Sequence, residues 1–149
     1  MTASTFGQLP SWARDLVERS PVGHLSYLDD RDRPRVLPVT YAVSGEALWT
    51  AIDRKPKQAP PERIARVRYL RRRPEAALCV DHYEDDWSRL AWVQAIGSVE
   101  VFELGSPGDE ARSALALLAR KYPAYASDAP DGPLIVVRPD RLLCWRATA

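Results

Sequence analysis

The chain has 149 residues, 46% of them hydrophobic and 28% charged, with a formal net charge of +1. Those proportions fit one globular domain over residues 1–149 and exclude a disordered chain. The near-neutral charge argues against a dedicated nucleic-acid binder, and no apolar run reaches the roughly 18 residues that span a bilayer. Residues 1–10 hold neither a basic start nor an apolar stretch, so the expected location is the cytoplasm.

Ser11 to Arg19 reads as a short helix, capped by Ser11, with Trp12, Leu16 and Val17 on its apolar side and Pro21 beyond its end. Val22 to Leu28 reads as a strand and Asp29 to Arg33 as a charged turn. Val36 to Val43 is a second strand and Ala47 to Ile52 a third, with Ser44-Gly45 turning the chain between them. Connections this short predict an antiparallel meander. Pro61 suits the first turn of a helix that runs to about Arg72. In it Ile64, Val67 and Leu70 or Tyr69 repeat at helical spacing, and Arg63, Arg66, Arg68, Arg71 and Arg72 take the other face.

Pro74 stops that helix, and Ala76 to Tyr83 is a fourth strand. Leu90 to Glu103 is a long fifth strand with a bulge expected near Gly97. A further helix starts with Ser106 as cap and Pro107 at its first position, and carries Ala111, Ala114, Leu115 and Leu118 on one face. Ala124 to Gly132 reads as loose chain. Leu134 to Val137 and Leu142 to Arg146 are the last extended pieces, separated by a turn at Pro139-Asp140. About six strands and two or three peripheral helices predict a mainly β (α+β) domain, a small closed antiparallel barrel.

Few sequence-visible chemistries are present. There is no CxxC, HExxH or GxxxxGK[ST] motif, and His24 and His82 are too few for a multi-histidine metal site, so no metal ligand and no catalytic residue is assigned. Cys79 and Cys144 sit in apolar segments and read as reduced core thiols. Asp81 to Trp87 lacks the alternating oxygen ligands of a calcium loop and reads as a hydrogen-bonded rim loop or a subunit contact; His82 as a general base has no nucleophile placed beside it. Trp12 and Trp145 are expected in or near the core. Trp49, Trp87 and Trp92 either pack in the core or cover a flat ring or a dimer face.

The most informative segment is Leu48 to Lys57, where a strand end delivers Arg54, Lys55 and Lys57 just ahead of a helix. Pro56 holds Lys55 extended, and residues two apart in extended chain point to one side. Lys55 and Lys57 could therefore grip one anion, helped by the next helix start. The competing reading is a solvated basic turn. The arginine-rich helix (Arg63 to Arg73) has three readings: a solvated outer face, the rim of an anionic ligand and, least favoured because base-stacking aromatics are few, a nucleic-acid surface.

The order of Val-Gly-His-Leu-Ser-Tyr-Leu (22–28), Arg-Pro-Arg-Val-Leu-Pro-Val-Thr-Tyr-Ala-Val (33–43), Leu-Trp-Thr-Ala-Ile-Asp-Arg-Lys-Pro-Lys (48–57), Leu-Cys-Val-Asp-His-Tyr-Glu-Asp-Asp-Trp (78–87) and Ile-Val-Val-Arg-Pro-Asp-Arg-Leu-Leu-Cys-Trp (135–145) resembles a known family. It is that of the pyridoxamine-phosphate-oxidase-like (PPOX class) flavin and deazaflavin oxidoreductases, with an FMN-binding split β-barrel. Within it the chain is similar to the probable coenzyme F-420-dependent branch. The resemblance runs from about Leu16 to Trp145.

The resemblance implies a homodimer with each cofactor in a groove between subunits. It implies a deazaflavin (coenzyme F-420)-dependent oxidoreductase acting on a small molecule; the alternatives are an FMN flavoprotein of the same fold and a non-catalytic cofactor carrier. Residue by residue, Lys55 and Lys57 match phosphate-binding positions. Thr50 and Ala51 match positions that touch the phosphate or ribityl chain, and Pro38, Val39 and Thr40 match the stretch along the ring. Trp87 and Trp92 match the region that reaches the partner subunit's cofactor. Arg63 and Arg66 are expected to serve an acidic cofactor tail. The Gln-Ala-Pro-Pro-Glu of residues 58–62 departs from the family, which carries more basic or hydroxyl residues there.

Overall fold

The computed structural model describes residues 1–52 and 61–147. Its strands are β1 (Thr2–Ala3), β2 (Gly23–Leu28), β3 (Pro34–Val39), β4 (Ala42–Ser44), β5 (Ala47–Ala51), β6 (Glu75–His82), β7 (Ala91–Phe102) and β8 (Leu134–Arg146). The helices are α1 (Ser11–Arg19), α2 (Pro61–Arg72), α3 (Asp109–Lys121) and α4 (Pro123–Ser127). The architecture is mainly antiparallel β with four helices, and it has eight strands rather than six. The two extra strands are β1, whose two residues pair with Leu143 and Leu142 of β8, and β4.

The sheet runs β3-β2-β6-β7-β8-β5-β4 and is not closed by hydrogen bonds, which corrects the closed barrel. Its two end strands are nevertheless consecutive in the chain, joined through Thr40 and Tyr41, so the sheet curls until its edges stand near each other. The meander is corrected at the same place. The stretch expected as one strand breaks at Thr40-Tyr41: β3 pairs with β2, while β4 pairs with β5. Tyr41 turns its ring into the core, and its hydroxyl donates to the Val17 carbonyl. Its backbone N–H donates to the Tyr122 hydroxyl at 3.0 Å, so a side chain replaces the lost ladder bond.

The expected bulge at Gly97 is present. Ile96 pairs with Arg141 and Gly97 with Pro139, which leaves Asp140 as the extra residue. A Cβ at position 97 would overlap the Arg138 carbonyl. A bulge also tolerates the missing N–H of Pro139, so β8 continues where a turn was expected.

Inward residues of the sheet and the buried side of α1 form the larger core, with Leu25, Tyr41, Leu48, Leu78 and Val80 at its centre. A second core lies on the other side of β4, β5 and β8, where α3 lays Ala111, Ala114 and Leu118 on Trp49, Leu134 and Val136. Burial on both faces explains the uninterrupted apolar run of Leu134 to Val137. Helix starts differ in detail from expectation. Pro10 rather than Ser11 precedes α1 as its cap, and Gly108 rather than Ser106 caps α3. α4 replaces part of the expected loose segment. Trp145 is 44% exposed, not in the core. Cys79 is half-buried on the outward side of β6, and only Cys144 is a core thiol.

Candidate functional site

A cavity of about 240 Å³ opens where the end of β3 faces the end of β5. Its walls bring together Pro38, Val39 and Thr40 with Thr50 and Ala51, five of the residues expected at a cofactor. The meeting follows from the Thr40-Tyr41 link, which leads β3 into β4, the strand paired with β5. β5 lies beside β8, and Ile52 continues the contact by donating its N–H to the Pro133 carbonyl at 2.9 Å. A Cβ at Gly132 would overlap the Ile52 carbonyl, so glycine is required for this close approach.

Two further elements complete the cavity. Helix α2 contributes Arg66 and α4 contributes Tyr125. Arg66 is only 7% exposed, a correction to its expected place on an outer arginine face. Helical geometry gives the reason. Position 66 lies three and four residues before Tyr69 and Leu70, so it shares their buried side, while Arg68, Arg71 and Arg72 point to solvent. The side chains of Arg63 and Ile64, and all of Arg54, Lys55 and Lys57, lie outside the described residues.

The Thr40 and Tyr125 hydroxyls are 2.9 Å apart and close one side of the cavity. Thr50 is 2% exposed, with its hydroxyl type on an otherwise apolar strand wall. The lining therefore holds a guanidinium, three hydroxyl side chains and apolar surface from Leu37, Pro38, Val39 and Ile52. It holds no carboxylate, imidazole or thiol among the described residues. Such a set can bind and orient an oxyanion next to a flat apolar group. Tyr125 had no signal in the sequence, because its role depends on where α3 delivers α4. Leu37 and Ile52 were missed because the cavity extends one residue beyond each expected stretch.

Trp87 and Trp92 do not border this cavity. Trp87 is 75% exposed in a 3₁₀ turn (Trp87–Arg89) between β6 and β7. Trp92 points outward from β7, level with Trp145 on β8 and Asp81 on β6. Trp49 is fully buried under α3. The acidic loop is hydrogen-bonded: His82 Nε2 lies 2.6 Å from Glu84, Arg89 lies 3.3 Å from the other Glu84 oxygen, and Asp86 accepts from Ser88. Among the described residues no group of three or more His, Cys, Asp or Glu could hold a metal. No described helix is long and apolar enough to cross a membrane.

No protein-family model matches the chain. No curated protein matches it either. Solved structures do. A heme-binding protein from Mycobacterium smegmatis superposes with a TM-score of 0.71 at 24% identity, over 94% of this chain and 55% of that one. The chain thus spans about half the length of that protein. A FAD-binding protein from Mesorhizobium loti gives 0.63 at 16% identity, over 97% and 95% of the two chains. An F-420 reductase gives 0.62 at 21% identity, over 91% and 98%. At these identities the likeness is one of fold alone.

Proposed function

We propose that the chain binds a phosphate-bearing deazaflavin, coenzyme F-420, and serves as an oxidoreductase for a small molecule, with FMN as the alternative cofactor. The observation that carries this reading is the cavity itself. It joins the ring-side stretch Pro38–Thr40 to the phosphate-side pair Thr50 and Ala51, and adds a buried guanidinium. When bound, such a cofactor supplies the hydride chemistry, so the protein needs no nucleophile or acid–base pair of its own. Arg66 and Thr50 fit a phosphate, Pro38, Val39 and Ile52 fit an apolar edge, and Thr40 with Tyr125 shuts out water. Lys55 and Lys57 follow Ile52 by three and five residues in the sequence and are proposed as further phosphate ligands.

A volume of about 240 Å³ is below the range of roughly 300–1,000 Å³ that encloses a whole small-molecule ligand. One chain therefore holds part of the cofactor, which supports a homodimer with the rest of the groove supplied by a second copy. The outward side of the sheet supports the same reading. Val36, Ala77, Cys79, Trp92, Ile96, Leu143 and Trp145 alternate with inward residues and are half-buried or exposed. Trp87 and Trp92 lie on or beside that side, where a partner's cofactor would be reached.

Paired fluorescence titrations with FMN and coenzyme F-420 test the proposal. Preference for F-420 supports the leading reading, and the reverse preference makes the chain an FMN flavoprotein. Binding of neither below about 100 μM overturns it. Turnover with reduced cofactor separates an enzyme from a non-catalytic carrier. A monomer at micromolar concentration in sedimentation would contradict the dimer.

A further inference from the structure

A larger cavity, about 460 Å³, lies between α1 and the adjoining ends of β6, β7 and β8. Among the described residues it shares no lining residue with the cofactor cavity. The two sit at opposite ends of β8: Leu134 pairs with Ala51 at one end, and Arg146 pairs with Ala91 at the other. The cavity is a broad groove open to solvent, with room for a small ligand lying along it.

One wall is apolar and flat, made by the Trp12 indole with Leu16 and Leu90. The Arg146 guanidinium lies 5.1 Å from the centroid of that indole. The charge on the lining is unbalanced, with Arg19, Arg89 and Arg146 against the single carboxylate of Asp15. Glu84 neutralises Arg89 at 3.3 Å and hydrogen-bonds His82 at 2.6 Å. Arg19 and Arg146 make no ion pair among the described residues, and they stand on two different elements that converge on the same cavity. A guanidinium set over an indole, with a second one that makes no ion pair beside it, is suited to a planar group that ends in a carboxylate. The ring lies on apolar surface, and the planar oxygens meet a planar fork of donors.

We propose that this cavity is a second binding site, for a small aromatic carboxylate. The ring packs against Trp12, Leu16 and Leu90, and the carboxylate accepts from Arg19 and Arg146. Among the described residues none lines both this cavity and the cofactor cavity of the same chain, and the cofactor titrations of the arginine variants below test whether the two sites are independent.

The test uses 1-naphthoate as probe and uncharged 1-naphthalenemethanol as control, followed by the Trp12 indole N–H resonance in ¹H–¹⁵N spectra. Trp12→Phe assigns the resonance. The expected result is a saturable shift with a midpoint at or below about 1 mM, with the alcohol at least about tenfold weaker. Arg19→Gln and Arg146→Gln should each weaken naphthoate about threefold or more and leave FMN or F-420 affinity unchanged. The absence of a saturable shift overturns the site. Equal binding of acid and alcohol also overturns it, by showing a merely greasy surface. A loss of cofactor affinity in the arginine variants would overturn its independence and assign the cavity to the cofactor groove.

Discussion

The Thr40 and Tyr125 hydroxyls meet at 2.9 Å although 85 positions separate them in the chain. This contact ties the break between the two edge strands to a one-turn helix that follows α3. It turns a strand end into the wall of a cavity. Tyr125→Phe keeps the ring and deletes the bond. A loss of about 0.5–1.5 kcal/mol in stability is expected, with a several-fold weaker cofactor, read by denaturant midpoint and titration. Unchanged cofactor affinity would remove Tyr125 from the site.

Arg66 is a cation held at 7% exposure beside Thr50. Arg66→Met preserves most of its bulk and removes the charge. The expected cost to binding of a phosphate-bearing cofactor is about 1.5–3 kcal/mol, the range for hydrogen bonds to charged groups. Arg66→Lys should recover little, because a point charge does not reproduce the planar fork. The same range is expected for Lys55→Ala and for Lys57→Ala. Titration with riboflavin, which lacks the phosphate, should show little difference between wild type and these variants.

Tyr122 repairs the backbone at the strand break. Its hydroxyl accepts the Tyr41 N–H at 3.0 Å and lies 2.9 Å from the Pro21 carbonyl and 3.0 Å from that of Tyr41. Tyr122→Phe leaves those groups without their partner. Destabilisation by about 1–3 kcal/mol follows from the desolvation of unsatisfied backbone. Urea denaturation measures it, and a change under about 0.5 kcal/mol, the scatter of ordinary surface substitutions, would show that water repairs the break.

Gly97 and Gly132 permit approaches that a methyl group forbids, at the Arg138 and Ile52 carbonyls respectively. Either alanine substitution should destabilise the fold by more than about 1 kcal/mol, since backbone must move on both sides. Gly132→Ala should also lower cofactor affinity, because Ile52 lines the cavity. Gly97→Ala should not. Thermal unfolding and titration of the two variants together separate these effects.

Lys121 places its ammonium 3.8 Å from the Tyr41 ring centroid and 5.5 Å from that of Tyr122, with no hydrogen-bond partner for its Nζ. Glu18 and Arg120 border the same small cavity. Burial lowers the Lys121 pKa from 10.5 to about 8. Between those two values the unfolded chain keeps a proton that the folded chain has lost, so stability from this group rises with pH across that window. Below about 8 both states are protonated and the contribution is flat. The desolvation cost of the charged form outweighs a cation–π gain of about 0.5–2 kcal/mol. Lys121→Met should therefore stabilise the protein by about 1 kcal/mol at pH 7, with the gain shrinking towards pH 10. Melting temperatures at the two pH values check the sign.

Local patterns in the sequence were enough to locate most elements. Pro61 opens α2, the charged turn at 29–33 separates two strands, and Gly97 marks the bulge, because each depends on backbone preferences a few residues wide. The resemblance in Pro38–Thr40 and Thr50–Ala51 selected the wall residues of the cavity. What the sequence could not decide is which side chains face one another across long separations. The break at Tyr41 depends on the Tyr122 hydroxyl, contributed from the end of α3. The joining of two expected pieces into β8 depends on β7 accepting Pro139 opposite Gly97. Arg66 looked like part of a solvated stripe until packing of α2 against the sheet chose which helical face is buried. In each case the deciding energy is a tertiary one: satisfying a buried backbone group, or covering an apolar face. Neither has a signature in the flanking residues.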